Sequence, residues 1–228
     1  MKITVCEMAN PPDGFEAAWE KLAEHVAETA SDFVLLGEMP FYRWLPLFPQ
    51  VDTVEWRQSV QAHERWIDRL GELGAPTVVS SRPVIEDGVH RNVGFIWRAE
   101  TGAVDVHTKY YLPEEEGFWE ASWYERGDGD FSIARTPNAA VGFLICTELW
   151  FTRHAREYGK QGAHIIVCPR ATPSSTAPKW IAGGQAAAVV SGAFCLSSNF
   201  AGKTSEGADF AGVGWIIEPE EGKILGLT

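Results

Sequence analysis

Val141-Gly142-Phe143-Leu144-Ile145-Cys146-Thr147-Glu148-Leu149-Trp150-Phe151 begins as an uninterrupted apolar run and changes character at its cysteine. Such a run predicts a strand buried on both faces, over residues 140–146. Residues 163–168 repeat the pattern, and the stretch between them, 152–161, reads as a helix. Two such strands flanking a helix are the repeating unit of an α/β protein. Downstream, residues 180–192 read as helical despite Gly183 and Gly184, and 196–199 and 214–218 as closing strands.

The first half has the same style. Residues 2–8 predict a strand. Asp13 is placed to cap a helix whose apolar positions Phe15, Trp19, Leu22 and Val26 recur at helical spacing. Residues 32–37 predict a strand that ends on Glu38. The aromatic, proline-rich stretch 39–49 suits a surface lid better than a core element. Residues 53–73 predict a second helix, with Trp56, Val60, Ile67 and Leu70 on or near one face. Strands are expected at 77–81, 91–97 and 104–107, the last two joined by a turn at Glu100-Thr101-Gly102. Residues 109–129 form a loop rich in acids and aromatics. The order β-α-β-α-β-β-β, then β-α-β-α-β-β, implies a single α/β domain over residues 1–228 with helix-covered sheets. Periodicity leaves open whether there is one sheet or two.

Composition narrows the function. The 228 residues are 45% hydrophobic and 22% charged, a globular balance. Nineteen Lys and Arg against 31 Asp and Glu give a formal charge of -12, a field that repels phosphate backbones and anionic lipid. No nucleic-acid or membrane partner is expected; the small-molecule substrate expected comes from the resemblance given below. Four cysteines without a CxxC pair fit a reducing cytosol and suggest no zinc or redox site. The opening residues lack a leader's apolar stretch, and no segment approaches the roughly 20 apolar residues of a membrane span. A cytoplasmic protein is expected.

Three reactive side chains stand at the ends of predicted strands, where open α/β sheets place ligands. Glu38 follows Phe33-Val34-Leu35-Leu36-Gly37; desolvation there would raise its pKa toward that of a general base, or the carboxylate simply meets water. Cys146, at a strand-to-helix elbow, can sit beside backbone N–H groups that stabilise a thiolate and an oxyanion, or is a small buried hydrophobe. Cys6, Cys168 and Cys195 share the apolar setting without that context and are read as buried hydrophobes. Lys109 leaves a strand in Val106-His107-Thr108-Lys109-Tyr110-Tyr111-Leu112-Pro113. It can depress a nearby thiol pKa and bind an oxyanion, or be neutralised by Glu114, Glu115, Glu116 and Glu120 at the surface.

Taken together and in order, these segments resemble the nitrilase, or carbon–nitrogen hydrolase, superfamily. Leu36-Gly37-Glu38-Met39-Pro40 is similar to the segment around that family's catalytic glutamate. Arg91-Asn92 to Gly102 and then His107 to Pro113 are similar to the strand pair leading to its lysine. Gly142 to Phe151 is similar to its nucleophile elbow. Gln161 to Pro169, Asn199, and Phe210-Ala211-Gly212 to Pro219 continue the match over nearly the whole chain. The resemblance implies a four-layer α-β-β-α sandwich. It also implies a triad of Glu38 as base, Lys109 as oxyanion stabiliser and Cys146 as nucleophile. Glu120 would be a second active-site glutamate, and the Thr147 N–H would complete the oxyanion site. No metal or organic cofactor is implied.

The implied reaction is hydrolysis of an amide or N-carbamoyl bond through a thioester, with release of ammonia. A true nitrilase acting on a C≡N group and a catalytically silent binding module on the same fold are the alternatives. The full set of triad residues argues against the silent module, and the lack of a GxGxxG after the first strand argues against a dinucleotide-binding fold. Arg170, past a strand end, is expected to grip a substrate carboxylate, or else is a surface arginine balancing an acidic protein. Tyr42, Trp44, Trp119, Trp123 and Trp150 can line an apolar pocket, or are packing. The sequence departs from the family pattern at Thr152-Arg153 and Gly214. It stops at Leu227-Thr228, where members continue through a further strand and a dimer-forming tail. A homodimer or higher homo-oligomer is the family's expectation.

Overall fold

The computed structural model describes residues 1–11, 14–204 and 206–228. Asp13, expected to cap the first helix, lies outside them. The chain runs through β1 (Ile3–Val5), β2 (Glu7–Ala9), α1 (Phe15–Thr29), β3 (Phe33–Leu35), α2 (Thr53–Ile67), β4 (Thr77–Glu86), β5 (Val89–Arg98) and β6 (Gly102–Thr108). A small ribbon, β7 (Glu114–Glu115) with β8 (Phe118–Trp119), leads into the single turn of α3 (Glu120–Trp123). Then come β9 (Ala134–Arg135), β10 (Ala140–Phe143), α4 (Thr152–Lys160), β11 (Ile165–Pro169), α5 (Ala177–Ser191), β12 (Phe194–Lys203), β13 (Asp209–Ala211), β14 (Trp215–Ile217) and β15 (Ile224–Leu227).

There are two main sheets. One has the order β1-β3-β4-β5-β6, parallel through β4 and antiparallel beyond. The other runs β15-β14-β12-β11-β10-β9, with β10, β11 and β12 parallel. Strand periodicity sorts the side chains into layers. Phe33 and Leu35 of β3 share a core with Val79, Ile96, Val141 and Phe143, so the two sheets pack face to face. Their neighbours Val34 and Leu36 point the other way, into a cluster with Phe15, Trp19, Leu22 and Val26 of α1. On the far side, Gly142 of β10 lies against the Tyr158 ring of α4, and Gly184 of α5 against the Trp215 ring. The result is the α-β-β-α sandwich that the resemblance implies. No helix among the described residues is long and apolar enough to cross a membrane.

Three expectations need correction. Residues 2–8 are not one strand. β1 pairs with β3 in the first sheet and β2 with β12 in the second, the break falling at Cys6, whose N–H donates to Ser198 Oγ at 3.0 Å. The chain therefore laces the edge of the first sheet to the far end of β12 in the second. The helix expected over 53–73 stops at Ile67, and Leu70–Leu73 form a separate 3-10 turn closed by Gly74 at φ 70°. The stretch 39–49 is not a surface lid: Met39, Phe41, Trp44 and Leu45 are buried. Its backbone is tied inward, Phe41 N–H donating to His63 Nε2 at 3.2 Å and Trp44 N–H to Asn10 Oδ1 at 3.2 Å.

The sheet-to-sheet spacing predicts one sensitive position. A Cβ on Gly94 of β5 would stand 2.6 Å from the Phe143 ring of β10, in the middle of the sandwich. Gly94→Ala is expected to cost about 1–3 kcal/mol by overpacking, measured as a fall in the urea midpoint at unchanged m-value.

Candidate active site

Glu38 emerges from the β3 end where strand termini crowd: its N–H donates to Arg170 O at 3.2 Å, and a Cβ on Gly37 would lie 3.3 Å from the same carbonyl. Met39, next in the chain, holds φ at 42°, a left-handed value that a non-glycine residue adopts at a cost. Lys109 leaves β6 with its N–H on Asn92 O at 2.9 Å. Glu120 is the first residue of α3. All three side chains are 0% exposed.

Their charged ends meet. Lys109 Nζ lies 2.6 Å from Glu38 Oε1 and 2.5 Å from Glu120 Oε2. Asn92 Nδ2 donates to Glu38 Oε1 at 2.8 Å, and the Tyr124 hydroxyl donates to Glu120 Oε2. Glu38 Oε2 and Glu120 Oε1 have no protein partner although buried. Burial drives Lys109 toward neutrality, but the Glu120 and Glu38 charges outweigh it, and its pKa is raised. Glu120 is pushed up to about 7 by burial and by Glu38, against the pull of Lys109.

Cys146 opens a 3-10 turn, Cys146–Trp150, separated from β10 by Leu144 and Ile145, with φ at 47°. The first N–H groups of such a turn have no acceptor within it and face outward. Burial raises the Cys146 pKa, Glu38 adds to the rise, and Lys109 opposes it. The resting sulfur is a thiol within the field of a carboxylate and an ammonium.

Of the other expected site residues, Trp119 is half-buried on β8 and walls a cavity of about 500 Å³ with Trp44, Phe48, Phe118, Pro173 and Phe210. Glu116, Glu206 and Asp209 also border that cavity, and Glu206 is paired with Arg43 at 2.9 Å. Thr147, half-buried, follows the cysteine in the turn. Tyr42 is turned elsewhere: its hydroxyl lies 2.9 Å from both Glu55 and Gln58, and it lines a separate cavity of about 430 Å³ with Phe15 and Trp66. Trp123 is buried with its indole N–H on Phe48 O, and Trp150 packs on Trp180.

Arg170 is not available to grip a carboxylate. It is 1% exposed, and each guanidinium nitrogen donates to the protein itself: Nε to Ser197 Oγ at 2.7 Å, Nη1 to Thr172 Oγ1 at 2.5 Å, Nη2 to Val213 O at 2.5 Å. The Trp215 ring lies 4.2 Å below it. It is a packed cation, neither of the roles expected of it from sequence.

Sequence reasoning missed two partners of the charge cluster. Asn92 stands 54 residues from Glu38, and Tyr124 four residues from Glu120. An asparagine at the head of a strand's apolar run is a signal for the first; nothing local marks the second. Among the described residues, no group of three His, Cys, Asp or Glu side chains is placed to hold a metal ion.

Comparison with known proteins points one way. A family model described as carbon–nitrogen hydrolase matches residues 2–227. The N-carbamoylputrescine amidase of Solanum tuberosum is 27% identical over 116 residues, which is 45% of this chain but only 39% of that protein's length. A carbon–nitrogen hydrolase from Helicobacter pylori G27 superposes with a TM-score of 0.88 at 17% identity, over 100% of this chain and 85% of that one. An amidase from Nesterenkonia sp. AN1, with acrylamide added to its active-site cysteine, gives 0.81 at 18%, over 100% and 89%. At these identities the structural likeness speaks for the fold.

The ion cluster predicts a pH-dependent cost. In Lys109→Met two buried carboxylates lose their cation, which should cost about 3–5 kcal/mol at about pH 8. A carboxyl whose pKa is raised loses stability as pH climbs from its ordinary 4.5 through the raised value, so the deficit should shrink toward about pH 5. Urea unfolding of both proteins at the two pH values checks it.

Proposed function

The chain belongs to the carbon–nitrogen hydrolase family, and from that premise we propose that it hydrolyses an amide or N-carbamoyl bond of a small molecule through a thioester on Cys146. The observation that carries this reading is the buried ammonium of Lys109 between Glu38 and Glu120, in whose field the cysteine lies. Glu38 takes the Sγ proton as sulfur attacks the carbonyl carbon, so the thiolate forms only as the C–S bond does. Two of the three Lys109 N–H bonds point at carboxylates; the third, with the Thr147 N–H, receives the oxyanion. Collapse of the tetrahedral adduct breaks the C–N bond, and Glu38 returns its proton to the departing ammonia. Water, deprotonated by the same carboxylate, then cleaves the thioester, and the proton goes back to sulfur. Glu120 orients Lys109 and keeps its charge.

The 500 Å³ cavity supports a substrate whose far end is apolar or cationic. Trp119 on its wall directly precedes Glu120, its other walls are aromatic, and its charged border is acidic. The name of the potato relative specifies an N-carbamoyl compound; here an N-carbamoyl amine is preferred over an N-carbamoyl acid.

Ammonia release from a panel of amides, ureido amines, ureido acids and nitriles tests the reading. Cys146→Ala should lose at least about a thousandfold in kcat, and alkylation of the native thiol should abolish turnover. Ureido amines should exceed ureido acids in kcat/KM, with Asp209→Asn and Glu116→Gln narrowing the gap. Undiminished turnover by Cys146→Ala would overturn the mechanism, and a preference for the acids would overturn the substrate class.

A further inference from the structure

A second buried charge cluster lies between the lysine and the cysteine, and the mechanism above makes no use of it. Glu148, in the turn that Cys146 opens, and His107, on β6, have side chains 0% and 2% exposed. Glu148 Oε1 accepts the Tyr110 N–H at 2.8 Å, and Oε2 accepts the Ile145 N–H at 2.8 Å. Tyr110 directly follows Lys109, and Ile145 directly precedes Cys146. One carboxylate therefore holds the two backbone segments that carry the ammonium and the sulfur, which come from different sheets.

Donor counting assigns the proton. His107 Nδ1 lies 3.1 Å from the Asp130 carbonyl, which only accepts, so Nδ1 carries a hydrogen. Nε2 lies 2.8 Å from Glu148 Oε2. Both Glu148 oxygens already accept a backbone N–H, so the atom facing Nε2 is an acceptor and Nε2 carries a hydrogen too. The imidazolium then neutralises the buried carboxylate and locks its rotamer. The surroundings favour that charge: Glu86, Asp105, Asp128 and Asp130 line the cleft over His107. From α4, His154 faces it, its own pKa lowered by partial burial and by Arg153, while the Tyr158 hydroxyl donates away to Phe143 O. Phe131 and Phe143 pack on the ring.

We propose that Glu148, held by a protonated His107, is a clamp that sets Cys146 against Lys109, and that both are positioning residues for the hydrolysis. This rests on the thioester reading given above. Neither side chain touches substrate; their effect is on the distance and angle between nucleophile and oxyanion donor, to which rate is steeply sensitive. The His107 pKa lies above its ordinary 6.5: burial lowers it, but the charge and hydrogen bond of Glu148 outweigh that. A group raised in this way contributes fully below 6.5 and loses its contribution as pH rises through the folded value. The clamp therefore loosens on the alkaline side.

Kinetics of two His107 variants beside Cys146→Ala test the clamp. His107→Leu, which removes the donor, should lower kcat by about tenfold to a hundredfold with KM little changed. His107→Gln keeps a donor without a titration; it should recover most of kcat near neutrality and lack the alkaline fall expected of the native enzyme. Nitrogen-15 NMR of the native protein should find both His107 nitrogens protonated at neutral pH, a readout that needs neither variant to fold. Full kcat in His107→Leu, an unchanged pH profile in His107→Gln, or a neutral His107 would each overturn the clamp. An inactive Cys146→Ala beside an unimpaired His107→Leu removes the clamp alone, whereas an active Cys146→Ala removes the parent reading.

Discussion

Lys109 holds its ammonium 2.6 Å from Glu38 and 2.5 Å from Glu120, with none of the three side chains exposed. An isolated ion in such a place would shed its charge or unfold the chain around it. Two carboxylates prevent that and leave a surplus of negative charge, which Glu120, pushed up to about 7, is suited to absorb. In the proposed mechanism Glu38 is the acceptor of the Cys146 proton. The polarity of the site is thus a consequence of burial: water is replaced by a fixed arrangement of charges that does not need to reorganise as the reaction proceeds.

That arrangement asks the scaffold to bring strand ends from two sheets to one place. Glu38 and Lys109 leave the first sheet through β3 and β6, while Cys146 leaves the second through β10. The sheets are held in register by the layer of Phe33, Leu35, Val141 and Phe143, and by the crossing of the chain at Cys6 from β1 to β2. Local strain sits at the same points, with left-handed φ at Met39 and Cys146. Of the four non-glycine residues with positive φ among the described ones, these two sit beside the site, while Ala30 and Asp87 lie at a helix end and a hairpin turn.

Much of the frame was legible in the sequence because it is written locally. Apolar runs that end on Glu38 and Cys146, and the spacing of Phe15, Trp19, Leu22 and Val26, report strands and a helix without reference to the rest of the chain. What was illegible depends on distant partners. Residues 2–8 have a strand's composition throughout, and only the positions of β3 and β12 divide them between sheets. The stretch 39–49 has a loop's prolines, yet Phe41 is buried among α1 residues and Trp44 is buried with Trp56 of α2 and Phe118 of β8. Arg170 looked free for a substrate, and its hydrogen-bond partners Ser197 and Val213 are 27 and 43 residues away. Nothing beside Asn92 in the sequence marks its partner; its bond to Glu38 exists because β4 pairs with both β3 and β5.

The claim on which the account turns is that substrate carbon becomes bonded to one sulfur. Acid quenching of the native enzyme before its first turnover is complete, followed by intact-mass measurement and peptide mapping, tests it most directly. The account predicts a mass increase equal to the substrate less ammonia, confined to the peptide that carries Cys146 and lost with further incubation. Product formed with no adduct, or an adduct on Cys6, Cys168 or Cys195 instead, would contradict it.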